Sequence, residues 1–426
     1  MTILSSALSS KRRGNRTKRA ILASILLVLL AGSLHADTPS TSPPATSTVP
    51  SLAVLGVATD ANSDEWKNGL VGFGIENWVA QSFYDAGRYR MFEERQDIIE
   101  QLRPKTDDAY DQASHNKTDD LADVAKQLGV DMVAVGKVST EYSLGSHVGI
   151  GVFHSVNRDT IVKVDVCIYD AHTGKIVHAG GSGKVGRNAH SFGADYRNNR
   201  IPFDPSTVAP ATEKAVQDAV AHLIPDYHPR ARSADAAEFK STVNLGVLPL
   251  GLDKAVAESY LEIKDKRVAL GIQSRIAHVI SDTKNASLIE IDPAVLDTLA
   301  EQYWIGQKGA PPTDDVKKQA PSYKTPVGYI VYGEVFAFSI AHLEHAQLLS
   351  GSVADKVTVG VQLRAVDPSS TDGGYIVASG IGSATGDWEH WKGQQDDFEQ
   401  SFVGKAAAVA VKNAWDNLAD DLANRK

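Results

Sequence analysis

The chain has 426 residues, 42% hydrophobic and 22% charged, a globular profile with enough apolar material for two cores. Its formal net charge is −9 and its one dense basic cluster, KRRGNRTKR, sits near the amino terminus, which argues against nucleic acid as a partner. Cys167 is the sole cysteine, so no intramolecular disulfide can form.

Residues 1–36 read as a secretory signal peptide: a basic stretch, the apolar run AILASILLVLLAGSL and a small-residue end at Ala36. Cleavage there removes six basic and no acidic residues, so 43 − 6 = 37 cations face 52 carboxylates and the charge becomes −15. No cysteine lies near that position, so no lipid anchor is expected. Residues 37–50, DTPSTSPPATSTVP, form a Ser, Thr and Pro tether that is expected to be disordered because it has little apolar surface to bury.

A first domain is expected over residues 51–227. SLAVLGVA reads as a strand; TDANSDEW is an acidic turn; a long amphipathic helix follows, with Gly87 as its stop. RYRMFE is a second strand leading to a helix, TDDLADVAKQLGV is another helix, and strands are expected near 130–143, 159–170 and 174–184. A last helix near 210–223 closes the domain. Residues 228–242 form a linker to a second domain over residues 243–426.

That second domain repeats the first. Gly74 to Leu102 aligns without a gap on Gly271 to Leu299, 197 residues later, and the same offset carries VDMVAVGKV from Val130 onto VGYIVYGEV from Val327. The apolar faces agree as well as the letters. Ile75, Val79 and Phe83 make a helical stripe matched by Ile272, Ile276 and Ile280, and the strand positions Val162, Val164, Val166 and Ile168 match Val359, Val361, Leu363 and Ala365. Gly136 and Gly333 coincide inside strands apolar on both sides, which predicts central strands with a bulge or close backbone approach. Cys167 alternates away from the apolar face with Asp165 and Tyr169, which would allow partial access, although a buried structural thiol is the favoured reading. The expectation is an α/β chain of mixed α+β domains in tandem, each a mixed sheet packed by helices in the order β-α-β-α-(α)-β-β-β-α.

YRMFEERQDIIEQL, LGVDMVAVGKVSTEY and DTIVKVDVCIYDAHTGKIV, in this order and spacing, resemble the CsgG/HfaB curli production assembly and transport family. The resemblance rests on Glu94 and Arg95 before a helix, on Gly136 within a strand, and on Asp170, Thr173 and Gly174 in an Asp-x-x-Thr-Gly turn; it covers roughly residues 51–226. The second copy keeps the frame with Ile291 after Glu290 and a longer turn, PSSTDGG, after Asp367. The resemblance implies a CsgG-like domain in each copy, a bacterial envelope location and a role in moving or assembling fibre or adhesin subunits. It also places LGSHVGIGVFHSVNRD, with Gly149, Gly151 and Phe153, where the family has its first inserted hairpin. A second insertion, beginning at Gly186, is polar.

Chemistry-bearing motifs are weak. HLEH at His342 to His345 lacks the four-residue spacing of a helical zinc pair, TDANSDEW has Glu65 where a calcium loop needs glycine, and GGSGK at Gly180 lacks P-loop spacing. No catalytic, cofactor-binding or metal-ligating set is expected, and an enzyme is not. Trp388 and Trp391, in WEHWKGQQDDFEQSF, are taken as interface aromatics. The expected function is a non-enzymatic, exported envelope component, periplasmic or outer-membrane-associated, that forms a homo-oligomer and handles envelope or exported protein partners. The alternative is a periplasmic docking accessory resembling penicillin-binding-protein activators or the TolB amino-terminal domain.

Overall fold

The computed structural model describes residues 49–59, 74–92, 110–111, 113, 115, 117–150, 153–192, 205–228, 238–248, 250–252, 266–289, 327–345, 352–368, 375–388 and 401–425. Residues from Thr48 to Lys426 belong to one compact unit that contains both repeats.

The first repeat is β1 (Ser51–Thr59), α1 (Ile75–Asp85), β2 (Arg90–Met91), α2 (Asp119–Leu128), β3 (Met132–Ile150), β4 (Phe153–Asp170), β5 (Lys175–Phe192) and α3 (Pro205–Leu223). Its sheet has the order β2-β1-β3-β4-β5. β1 is parallel to β2 and β3, which requires the helical crossovers, whereas β3, β4 and β5 form an antiparallel meander. The second repeat is β6 (Val243–Val247), β7 (Gly251–Leu252), α4 (Lys266–Asp282), β8 (Ala286–Ile289), β9 (Tyr329–His345), β10 (Ser352–Val366), β11 (Ile376–Trp388) and α5 (Phe402–Ala423). Its sheet runs β11-β10-β9-β6-β8, with β7 paired to β9. The tandem mixed α/β architecture is thus present, and the described elements follow the expected order. The helix expected after RYRMFE lies outside the described residues, as do Glu94 and Arg95.

Helix ends follow local chemistry. Gly74, at φ 71°, opens α1, and Gly87, at φ 64°, ends its last turn by donating to the Tyr84 carbonyl at 2.9 Å. Asp119 and Asp120 in the first turn of α2 and Lys126 in its last oppose the helix dipole favourably. Ser401 caps α5, its hydroxyl accepting from the Gly404 amide at 3.0 Å.

The matched stripes are the cores. Val162, Val164 and Val166 alternate inward against Ile75, Val79 and Phe83 and against α3, all of these 0–2% exposed. Val359, Val361, Leu363 and Ala365 do the same with Ile272, Ile276, Ile280 and α5. The opposite face of the first sheet is closed by α2, which covers Cys167 together with Ala53, Leu55, Val133 and Val135. Cys167 is therefore buried rather than partly accessible, and burial pushes its thiol up to about 11, with the Asp165 carboxylate adding to the effect. The last residues of the expected linker belong to the second core: Phe239 is buried there and its carbonyl accepts from Asn285 Nδ2 at 2.6 Å.

One repeated device was not anticipated. Beyond the lengthened turn the offset grows from 197 to 199, because two residues are inserted, and Gly181 and Gly183 of β5 fall on Gly380 and Gly382 of β11. The last helix lies directly on these glycines. A Cβ on Gly181 would sit 2.1 Å from the Ala215 carbonyl oxygen and one on Gly183 1.8 Å from that of Ala211; on Gly380 and Gly382 the distances are 2.0 Å to Ala414 and 2.1 Å to Ala410. Small residues on both sides let helix and strand backbones approach, and both copies use the same four positions. Gly136 and Gly333 behave as the sequence predicts. They lie in central strands, and an added Cβ would meet the Asp165 oxygen at 2.9 Å or the Gln362 oxygen at 2.1 Å.

Gly382→Ala and Gly333→Ala should each lower stability by about 1–3 kcal/mol, because the obstructing atoms are backbone and cannot swing aside. Gly386→Ala, whose Cβ would meet Ala406 Cβ at 3.8 Å, should leave the melting temperature nearly unchanged. Equal effects at the three positions in thermal denaturation would contradict this ranking.

Candidate functional site

The antiparallel strands of the first repeat run well past the bounds expected for them. β3 was expected to end near 143 and β4 to begin near 159, but the ladder continues to Ile150↔Phe153, with a register shift between Leu144 and His147. β5 continues alongside to Phe192, opposite Phe153. LGSHVGIGVFHSVNRD is thus the end of a long hairpin, joined by a third strand. Gly149 pairs with His154 within it and Phe153 opens β4, while Gly151 lies outside the described residues. The three-strand extension escaped sequence reading because GRNAHSF has no alternating apolar face; backbone pairing to β4 makes it a strand. Trp388 likewise ends β11 by pairing with Asp355 and is not a loop residue, whereas Trp391 lies outside the described residues. HLEH falls on β9.

The opposite end of the first sheet is closed by carboxylates. Asp170 Oδ1 accepts from the His172 amide at 2.8 Å and the Thr173 amide at 3.2 Å, and the Gly174 amide donates to the Asp170 carbonyl at 2.8 Å. Gly174 adopts φ 67°, which the turn requires. Partial burial pushes the Asp170 carboxyl up, but the Thr173 hydroxyl and these amides outweigh it and hold the group below its ordinary value. Next to this turn Asp131 Oδ2 accepts from the Ser51 amide at 2.7 Å and hydroxyl at 2.8 Å, and Asp131 Oδ1 lies 2.7 Å from His172 Nε2. The Ser51 amide is the main reason that the Asp131 carboxyl is lowered. These three side chains do not form a hydrolytic triad, since the carboxylate stands between hydroxyl and imidazole and His172 is on the wrong side to take the Ser51 proton. What they do is tie the starts of β1 and β3 to the β4–β5 turn.

Between the repeats lies a mixed polar and aromatic junction built on the outward face of α1. Gln81 Oε1 accepts from the Ser379 hydroxyl at 2.8 Å, Tyr84 donates to the Val377 carbonyl at 3.1 Å, and the buried Arg364 donates to Asn77 Oδ1 at 3.2 Å and Gln362 Oε1 at 2.9 Å. Trp78 packs edge-on against Phe336 at 6.4 Å, and Arg90 lies 4.2 Å over the Tyr375 ring. Gly74 cannot carry a side chain: a Cβ would stand 1.8 Å from the Phe336 ring.

Among the described residues no group of three or more His, Cys, Asp or Glu could hold a metal ion, and no helix is long and apolar enough to cross a membrane. No protein-family model matches the chain, and no curated protein matches it. Among solved structures it is similar to a hypothetical protein of Chlamydia trachomatis at 12% identity, covering 40% of this chain and 92% of that one, with a TM-score of 0.29. It is also similar to a lipoprotein of Neisseria meningitidis at 16% identity, covering 35% and 88%, with a TM-score of 0.21.

Two outcomes follow from this geometry. A carboxyl more acidic in the folded chain than in the unfolded one stabilises fully above the unfolded value, near 3.8, and that contribution is lost as pH falls through the lowered folded value. Asp131→Asn should therefore melt below wild type at pH 7, with the gap narrowing as pH drops below about 4; a gap independent of pH would contradict the assignment. At the junction, Gln81→Ala should cost about 1–3 kcal/mol and be non-additive with Ser379→Ala in a double-mutant cycle.

Proposed function

We propose that this chain is a non-enzymatic envelope component that oligomerises and handles an exported fibre, adhesin or other envelope protein, in the manner of the curli assembly and transport family. The observation that most supports this reading is the first-repeat ladder, which carries the glycine-rich hairpin to Ile150↔Phe153 with β5 alongside as far as Phe192. The Asp170, Thr173 and Gly174 turn fits the same reading, because it closes the foot of the two strands from which the extension grows. A periplasmic location follows from the basic, apolar and small-residue pattern of residues 1–36.

A second reading is a periplasmic docking accessory of another envelope machine. It is favoured by the junction, which joins the two repeats into one compact unit suited to act as a fixed platform.

Light scattering of the chain beginning at Asp37, without detergent, should give a defined oligomer at micromolar concentration. A monomer alone would sink the self-assembling version and leave the docking reading. Gly149→Asp combined with Gly151→Asp should abolish export of the fibre or adhesin subunit while circular dichroism stays unchanged. Full export by that variant would remove the hairpin from the mechanism.

A further inference from the structure

The repeats do not face each other symmetrically. The α1 and β2 side of the first meets the β10 and β11 side of the second, so the junction joins two different faces of one domain type. Such a contact is head to tail, and it leaves one unmatched face at each end of the chain. Its apolar part is local. Phe92, just past β2, makes an antiparallel bridge with Tyr375, just before β11, and their rings pack edge-on at 6.0 Å. That register sets Met91 opposite Ile376; Met91 is 2% exposed and Ile376 packs against the same core.

The counterparts of these four residues are open. At an offset of 197, Met91 and Phe92 become Leu288 and Ile289 of β8; at 199, Tyr375 and Ile376 become Ile176 and Val177 of β5. Strand pairing supports the first match, since Met91 lies across from Leu52 and Leu288 from Leu245, and β2 and β8 are edge strands of their sheets. Leu288 is 39% exposed and Val177 56%; the other large apolar side chains exposed among the described residues are Val49 and Val409. Scattered exposed apolar residues need no partner. These two are marked by position, because each is half of a contact that the chain builds once, between its own repeats. Beside them the faces are open as well. Ser274, His278 and Ser281 of α4, which stand where α1 has Asn77, Gln81 and Tyr84, are exposed, and so are Lys163, Asp165, His178 and Ser182 of β4 and β5. That strand face carries both signs, so position rather than charge chooses the occupant.

We infer that a second copy of this chain docks head to tail, its β8 edge on the start of β5 in the next copy, with Leu288 opposite Val177 and Ile289 opposite Ile176. The inference rests on the self-assembling version of the proposed function and gives it a surface. Since α4 offers Arg275, His278 and Ser281 in place of Trp78, Gln81 and Tyr84, the contact between chains is weaker than the junction within one and forms reversibly. Because the two faces differ, assembly runs on to a ring or a filament instead of closing at a dimer.

In sedimentation velocity the chain beginning at Asp37 should associate as its concentration rises, and Leu288→Asp or Val177→Asp should each weaken association at least about tenfold. Mixed in equal amounts, those two variants should form a dimer that grows no further, since one keeps the β5 face intact and the other the β8 face. Both sites are exposed, and if either aspartate variant fails to fold, cysteine reports instead. A short bismaleimide should join Leu288→Cys chains to Val177→Cys chains and neither to itself, because Cys167 is buried. Linkage of one variant to itself, or an oligomer indifferent to both aspartates, would overturn the inference and leave self-assembly through another surface. A monomer at every concentration would overturn it together with the self-assembling reading.

Discussion

Helix α1 lies between two sheets and must satisfy both. One stripe, Ile75, Val79 and Phe83, is buried against its own strands, while the other, Asn77, Gln81 and Tyr84, holds the second repeat. A helix with an apolar face on one side and hydrogen-bonding groups of fixed reach on the other can be placed in only one rotation. Gly74 makes the arrangement possible, because any side chain there would occupy the space of Phe336. The relative setting of the repeats follows from this one helix.

The polar character of the junction matters to what it does. An apolar contact of the same size would hold equally well but would tolerate sliding, whereas Gln81 and Ser379 satisfy each other only in one register. The buried Arg364 reinforces that choice, since a displaced guanidinium would lose its Asn77 acceptor in a place with little water. Duplication therefore left the copies unequal. In the second repeat the root of β11 is bonded by Tyr84 and Gln81 of α1 and the strand ends at Trp388, opposite Asp355; in the first, β5 continues to Phe192, opposite Phe153.

Much of this was legible in the letters. The stripes at 75, 79 and 83 and at 272, 276 and 280 gave both helices and both cores, and strand alternation at 162, 164 and 166 gave the buried face, because burial imposes periodicity wherever one side meets a core. Gly136 and Gly333 marked close approaches for the same reason. The extension of β5 to Phe192 was not legible, since GRNAHSF carries no alternating apolar face. The junction was hidden too: Asn77, Gln81 and Tyr84 look like an ordinary solvated helix face until a second sheet is laid over them. The glycine and alanine pairs of the last strand and helix did carry a signal, at an offset of 199, but the two-residue insertion hid it from a comparison at 197.

Calorimetric unfolding of the chain tests most directly whether α1 joins the repeats into one unit. The account predicts a single transition whose calorimetric and van't Hoff enthalpies agree, and its division into two transitions when Gly74 is replaced by leucine. Two independent transitions in the unaltered chain, or a single unchanged transition in the Gly74→Leu variant, would contradict it.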